Sequence, residues 1–365
     1  MKKIMTIGSA MRDMFLDNTQ AQAMYLNTNQ KKQSFIVLQE GKKIEVNGLS
    51  YHIGGGAINS AASFALIGHP VESFFKVGCD QEGDFVCAQM TKRGVITDTA
   101  IHDPNERTGT SIIIPCPSGD RAIFVHRGAN KTLSQPEIPL NRIASCEQLY
   151  ITSLSNQASQ TLPFIVKEAK KHNIQIAVNP GTSQLTTNVH TLELSLPYID
   201  IFILNSYEAT LLMNALVYTK IQKQYASIKN NALPELLKGP IGFEAVCFTL
   251  RYFFTEIISR GPKIVIVTNG AEGVYAADNA TIYFHPSIKT HTISTLGAGD
   301  AFGSTFVSYI TQGKSIADAL RAGAINAASV LGSVGAQEGL LTLDQLTERI
   351  SALDLSLLQQ FNLKN

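Results

Sequence analysis

The chain has 365 residues, 44% of them hydrophobic and 16% charged, with a net charge of +1. That length and apolar content suffice for a sizeable buried core, in one large α/β domain or two smaller ones. The near-neutral charge gives no support to nucleic acid or an anionic membrane as a general partner, so any phosphate recognition must be local.

Short apolar runs alternate with helical patterns, the signature of strand–helix–strand units around a mainly parallel sheet. Lys3–Ile7 is the first strand, and the loop Gly8-Ser9-Ala10-Met11-Arg12-Asp13 after it carries a carboxylate. The lysines at the start have the charge of a signal-peptide n-region, but Gly8, Arg12 and Asp13 break the apolar core too early for one. Phe35–Leu38 and Lys43–Val46 read as a hairpin around Glu40-Gly41. Gly54-Gly55-Gly56 then opens an apolar helix through Ala61, Phe64 and Leu66, which Gly68 and Pro70 close.

Ser73–Val77 and Gln148–Thr152 are further strands, with helices near Gly83–Lys92 and Gln157–His172. Between them, Ser111–Pro115 and Arg121–Arg127 are β-rich runs joined by the turn-rich stretch 116–120. Both hairpins lie off the alternation and are expected to form a small separate sheet. Ile174–Val178 and Ile199–Leu204 continue the rhythm, the second running into Asn205-Ser206-Tyr207-Glu208. Residues 215–261 read as an inserted helical segment, with Ile241–Ile258 as an amphipathic helix. Lys263–Thr268 is a strand ending at Asn269-Gly270, and Gly273–Ala277 with Thr281–His285 reads as a hairpin. Ile316–Leu331 is expected to be the last helix. No uncharged apolar run reaches about 18 residues, so no membrane span is expected. Five scattered cysteines without C-x-x-C spacing suit a reducing cytoplasm.

The most informative stretch is Ser294-Thr295-Leu296-Gly297-Ala298-Gly299-Asp300. Behind it, Phe302, Phe306, Val307 and Ile310 share one helical stripe, and Gly313 is placed to end the helix. A helix start points free N–H groups outward and carries partial positive charge, so it suits an anion. The missing side chains at Gly297 and Gly299 let a phosphate come close. Asp300 adds negative charge there, which makes chemical sense if it takes a proton from an attacking hydroxyl beside the phosphate.

Together, the glycine motif at 54–56, Asp13 and the Gly-Ala-Gly-Asp run resemble the ribokinase or PfkB family of sugar kinases, over nearly the whole chain. The resemblance implies a single ribokinase-like α/β domain over 1–365: a three-layer sandwich with a mainly parallel sheet flanked by helices. It also implies a small β lid, from about 14–52 and 107–128. It makes Asp300 the general base and the amides of Gly297, Ala298 and Gly299 the anion hole. Asp13, Gly54, Gly55 and Asn59 fall on the acceptor side, and the acceptor would be a small-molecule sugar or nucleoside. Asn205 and Glu208 match the family's Asn-x-x-Glu element, with Glu208 ordering Mg2+ through water. Thr268, Gly270 and Gly273 match the nucleotide-side Thr-x-Gly-x-x-Gly loop, and Asn326 with the Gly335-Ala336 turn would line the base and ribose. ATP and Mg2+ are the implied donor and metal, and a homodimer through the lid is compatible with it.

Three positions depart from the family pattern. Met11 stands for an asparagine, Gly56 for a lysine, and Ser294 for an aspartate that helps hold a monovalent cation. Gly313-Lys314-Ser315 is a decoy for a P-loop, because the earlier glycine is Ser308. A sugar-binding sensor on the same fold is the alternative, though a sensor has no need of a base. A dinucleotide-dependent oxidoreductase is disfavoured, since no G-x-G-x-x-G opens the first helix after a strand.

Overall fold

The computed structural model describes residues 1–19, 22–27, 32–115, 121–216, 233–241 and 247–364. The chain begins with β1 (Ile4–Ile7), β2 (Met11–Thr19), β3 (Gln22–Asn27), β4 (Lys32–Val37), β5 (Val46–Gly54), α1 (Gly56–Leu66), β6 (Val71–Phe74), β7 (Lys76–Gly78) and α2 (Gln81–Lys92). Next come β8 (Val95–Ile96), β9 (Ile101–Asp103), β10 (Gly109–Pro115), β11 (Arg121–His126), α3 (Leu140–Ile143), β12 (Gln148–Ile151), α4 (Leu162–Lys170), β13 (Gln175–Val178), α5 (Thr182–Leu185) and α6 (Val189–Ser195). β14 (Ile201–Asn205), α7 (Ser206–Leu216), α8 (Glu235–Lys238), α9 (Leu250–Ser259), β15 (Ile264–Thr268), β16 (Val274–Ala277) and β17 (Thr281–His285) follow. The chain closes with α10 (Ala298–Thr311), α11 (Ile316–Leu331), α12 (Leu343–Ser351) and β18 (Gln359–Asn362).

The central sheet has the order β18-β17-β16-β15-β14-β13-β12-β1-β6-β8 among the described residues. From β15 to β8 every pairing is parallel, while β16, β17 and β18 extend that edge antiparallel. Successive residues of a strand face opposite sides, and each side here has its own core. Met5, Ile7, Phe202, Leu204 and Val265 pack with α4, α7 and α9 on one face. Ile4, Ile201, Ile203 and Ile266 pack with α1, α10 and α11 on the other. The three-layer α/β sandwich expected from the sequence is therefore formed. Strand order turns back at β1, which pairs with β12 on one side and β6 on the other. In open α/β sheets the crevice beyond the strand carboxyl ends at such a point is where ligands bind.

A second sheet, β11-β10-β2-β5, is formed by the segments expected to make the lid. It begins at Met11, so Asp13 sits within a strand rather than in the loop expected for it. The expected hairpin around Glu40-Gly41 does not form. Phe35 instead pairs with Met24 in a two-stranded sheet of β3 and β4, and Val46 pairs with Thr19 of β2. Ser111–Pro115 and the run from Arg121 do pair antiparallel, as read; their connection, 116–120, lies outside the described residues.

Four other expectations shift. Ser73–Val77 breaks at Phe75, its two halves belonging to different sheets. The stretch read as a helix from Gln157 begins as a 3-10 turn, Asn156–Thr161, before α4. Ile241 bridges Phe248 antiparallel, so the helix expected from Ile241 starts only at Leu250, where the Thr249 side chain caps it. α9 buries Phe253, Phe254 and Ile257 against β15, worth about 1.5–3 kcal/mol for each side chain. Finally, Ile316–Leu331 is not the last helix, since α12 and β18 follow.

Candidate active site

The site begins with two glycines that only glycine can supply. Gly55 has φ +103 at the start of α1 and Gly297 has φ +76 at the start of α10, a region closed to most side chains. A Cβ on Gly297 would also lie 2.5 Å from that of Ala336, so the close approach of the 335–337 segment depends on it. α10 starts at Ala298, and the first N–H groups of a helix have no partner within it. A Cβ on Gly299 would meet nothing within 4 Å, which leaves open space over those amides.

Asp300 in the first turn of α10 is the best-placed carboxylate. Its Oδ2 accepts a hydrogen bond from Asn59 Nδ2 at 2.8 Å. Burial pushes its carboxyl above the ordinary range, and the Asn59 bond opposes that rise. Gln337 Nε2 donates to Asn59 Oδ1 at 2.9 Å, an element that no sequence signal announced.

The lid strand β2 supplies the second carboxylate. Register sets Asp13 opposite His52 on β5 and Ser111 on β10, so these three share one face of the lid. That face is turned inward: Asp13, Phe15, Ser111 and Ile113 are all buried. Ser111 Oγ donates to Asp13 Oδ1. Burial raises the Asp13 carboxyl, partly offset by this hydroxyl. Gly54 is required here, because a Cβ on it would sit 2.0 Å from Asp13 Oδ2. The backbone ahead of β2 is clamped by Asn130, whose side chain accepts from Ala10 N at 2.9 Å and donates to Ala10 O at 2.8 Å. Ser9 Oγ accepts from Gly56 N at 3.1 Å, tying the same loop to α1.

Gly56 has no room for a longer side chain, since its Cβ would fall 2.7 Å from Thr152 Oγ1. The lysine missing from this position is thus excluded by a neighbour. Arg121 of β11 donates to Thr295 Oγ1, so the lid reaches the loop ahead of Gly297. His52 Nδ1 lies 2.7 Å from Glu338 Oε1, a hydrogen-bond contact that joins the lid to the segment after α11.

On the other side of Gly299 lies a cavity of about 770 Å3. Thr268, Gly270 and Gly273 line it, together with Ala298 and Gly299. Sequence reasoning missed other walls, among them Pro286 to Thr290 with Thr292 and the Ala324, Ala327 and Ala328 face of α11. Small residues on that helix stripe make this wall of the cavity apolar.

Two expected nucleotide contacts lie elsewhere. Asn326 is fully buried, donating to Thr305 Oγ1 at 2.7 Å and accepting from Leu341 N at 3.0 Å, so it ties α10 to the chain after α11. A Cβ on Gly335 would run into Glu338 and His52, which puts this glycine on the lid side rather than in the cavity wall.

Asn205 and Glu208 form a reciprocal cap at the start of α7. Glu208 Oε2 accepts from Asn205 N, and Asn205 Oδ1 accepts from Glu208 N, both at 2.8 Å. Burial, with Asp300 adding to it, pushes the Glu208 carboxyl up to about 7. That donor set fits a hydrated Mg2+, which takes one or two carboxylates plus phosphate oxygens and keeps several waters. Among the described residues no cluster of three or more His, Cys, Asp or Glu forms a dedicated metal cage.

This geometry can be set beside known proteins. The family model for "pfkB family carbohydrate kinase" matches residues 1–233 and 252–343. The chain belongs to the PfkB family of carbohydrate kinases. The kinase is 26% identical over 300 residues to a ribokinase of Bacillus subtilis, covering 82% of this chain and 87% of that one. Its fold matches Arabidopsis thaliana ribokinase complexed with ribose and ATP at TM-score 0.73 and 18% identity, over 96% and 98% of the two chains. It also matches a candidate ribokinase II from E. coli in complex with ATP and Mg2+, at TM-score 0.74 and 18% identity, over 97% and 100%. The stretch that the family model skips, 234–251, falls inside the segment expected to be inserted. No helix among the described residues is long and apolar enough to cross a membrane.

Proposed function

We propose that this carbohydrate kinase transfers the terminal phosphoryl group of ATP to a hydroxymethyl group of a sugar or nucleoside, with Asp300 as general base. The observation that carries the reading is a half-buried carboxylate in the first turn of a helix whose start at Ala298 and Gly299 lines the cavity, bonded to Asn59 of the glycine-led helix that follows the lid strand β5. The acceptor oxygen attacks the phosphorus, the bond from phosphorus to the bridging oxygen breaks, and the acceptor proton passes to Asp300. Amides of Gly297, Ala298 and Gly299 face the charge that develops on the phosphoryl oxygens. Asp13, Gly54, Gly55 and Asn59 bind and orient the acceptor.

Thr268, Gly270 and Gly273 hold the nucleotide. Asn205 and Glu208 would hold the waters of Mg2+, which supplies charge neutralisation on the phosphates when bound. Arg121 adds positive charge from the lid, so closure and charge stabilisation come together. Ile112, Phe124 and Tyr51 share the outer lid face through Met14 and are exposed, which supports a homodimer through the lid.

The test is ATP consumption against a panel of pentoses, hexoses, phosphorylated sugars and nucleosides, with and without Mg2+. Turnover confined to one acceptor class and dependent on Mg2+ is expected. Binding of an acceptor without turnover would favour a sensor instead.

A further inference from the structure

We propose that Gln337 is a positioning residue for phosphoryl transfer, orienting the Asn59 amide so that its NH2 group, and not its oxygen, meets the Asp300 carboxylate. The inference rests on the kinase reading above. Gln337 lies between α11 and α12 and is 6% exposed. Its Nε2 donates to Asn59 Oδ1 at 2.9 Å, and Asn59 Nδ2 donates to Asp300 Oδ2 at 2.8 Å.

An asparagine amide has two faces of nearly equal shape, so packing alone does not choose which end points where. The partners choose. An ionised carboxylate only accepts, and therefore demands the nitrogen of Asn59. The oxygen of Asn59 is then left pointing inward and needs a donor, which Gln337 supplies. Without that donor the productive orientation leaves a buried oxygen unpaired, and the opposite one aims an oxygen at the carboxylate.

Gln337 Oε1 is buried with no partner, so the bond to Asn59 is the use its amide finds among the described residues. An apolar side chain would pack as well; orientation is what the amide adds. The segment is itself anchored to the lid next door, where Glu338 pairs with His52. The titratable groups that bear on Asp300 are Glu208 on α7 and Tyr150 on β12, and neither brings positive charge. Among side chains the Asn59 donor is what favours the ionised form of Asp300, alongside the partial positive charge of the helix start.

Gln337→Glu tests this, because it keeps size and reverses polarity: the new carboxylate accepts from Asn59 Nδ2 and turns the amide over. The acid limb of the kcat/KM profile should move up by about one pH unit, and kcat at neutral pH should fall about tenfold or more, with little change in KM for ATP. Adding Gln337→Met to Asn59→Ala should cost nothing further, since one residue acts through the other and methionine brings no charge of its own. Carbon-13 NMR of labelled aspartates, with Asp300 assigned by Asp300→Asn, should show its titration midpoint rising in Gln337→Glu.

An unchanged midpoint overturns the proposal, and so does additive loss in the double variant. Should Gln337→Glu fail to fold, Gln337→Met, of similar length and without a donor, carries the same readings. If the wild-type chain phosphorylates nothing in the panel, the kinase reading has failed, and the NMR midpoint still decides this one.

Discussion

Asn59 and Asp300, 241 positions apart in the chain, meet side chain to side chain at 2.8 Å. The bond joins the first turns of α1 and α10, so the two glycine motifs become one site. It also makes the state of Asp300 sensitive to groups well outside its own loop.

Asp300→Asn keeps the size of the side chain and removes its basicity. Affinity for nucleotide and acceptor should persist while kcat falls by about 10²- to 10⁴-fold, the usual share of a general base. Steady-state kinetics with binding calorimetry on the same preparation separates the two. Near-normal kcat would remove Asp300 from its role.

Asp13→Ala should act on the acceptor instead. It deletes a carboxylate that can accept hydroxyl hydrogen bonds and leaves Ser111 Oγ without its acceptor. KM for the acceptor should rise about 10- to 100-fold, the range of a hydrogen bond to a charged group, with KM for ATP little changed. Unchanged acceptor affinity by calorimetry would make Asp13 a residue of lid architecture alone.

Glu208 has its carboxyl raised to about 7 by burial, above its value in the unfolded chain. Its contribution to stability is therefore present at acid pH and is lost as pH rises towards 7. Glu208→Gln keeps the cap on Asn205 N and cannot ionise, so it should be more thermostable than the parent at pH 8. The gap should close at pH 4, and thermal unfolding at both values measures it. Saturating Mg2+ with nucleotide should narrow the gap at pH 8, because a bound cation favours the ionised parent. A gap independent of pH would assign Glu208 a capping role only.

The lid should close before transfer, because water competes with the acceptor for the phosphoryl group. Amide exchange in β2 and β10, which carry Asp13 and Ser111, should slow when acceptor is bound. Equal exchange with and without acceptor would mean that the lid does not close over it.

Ser294 gives the fifth expectation. Its hydroxyl accepts from Leu296 N at 3.2 Å, and Ile293 N and Ser294 N both donate to Leu331 O, at 2.7 and 3.2 Å. The loop ahead of Gly297 is thus tied down by its own hydrogen bonds, and a neutral serine is a poor ligand for a weakly held cation. Replacing potassium by a bulky organic cation at equal ionic strength should change kcat little. A several-fold stimulation by potassium would show that backbone carbonyls alone build the cation site.

The sequence by itself determined the α/β alternation, the two glycine-led helices and the Gly-Ala-Gly-Asp run, because these depend on local physics. Continuous apolar strands, positive φ and helix capping are all written within a few residues of where they act. The hairpin between β16 and β17 was legible for the same reason, its strands being joined by the three residues 278–280.

What only the tertiary structure decided has the opposite character. Register placed Asp13, His52 and Ser111 on one lid face, and a one-residue slip of β2 would have turned Asp13 away from the other two. Asn326 has the composition of a ligand residue, yet the packing of α10 and α11 turns it into the core. Gln337 carries no local signature at all. Its role exists because Gly297 lets the 335–337 segment come close, and hydrogen bonds between side chains far apart in sequence depend on that approach rather than on any pattern along the chain.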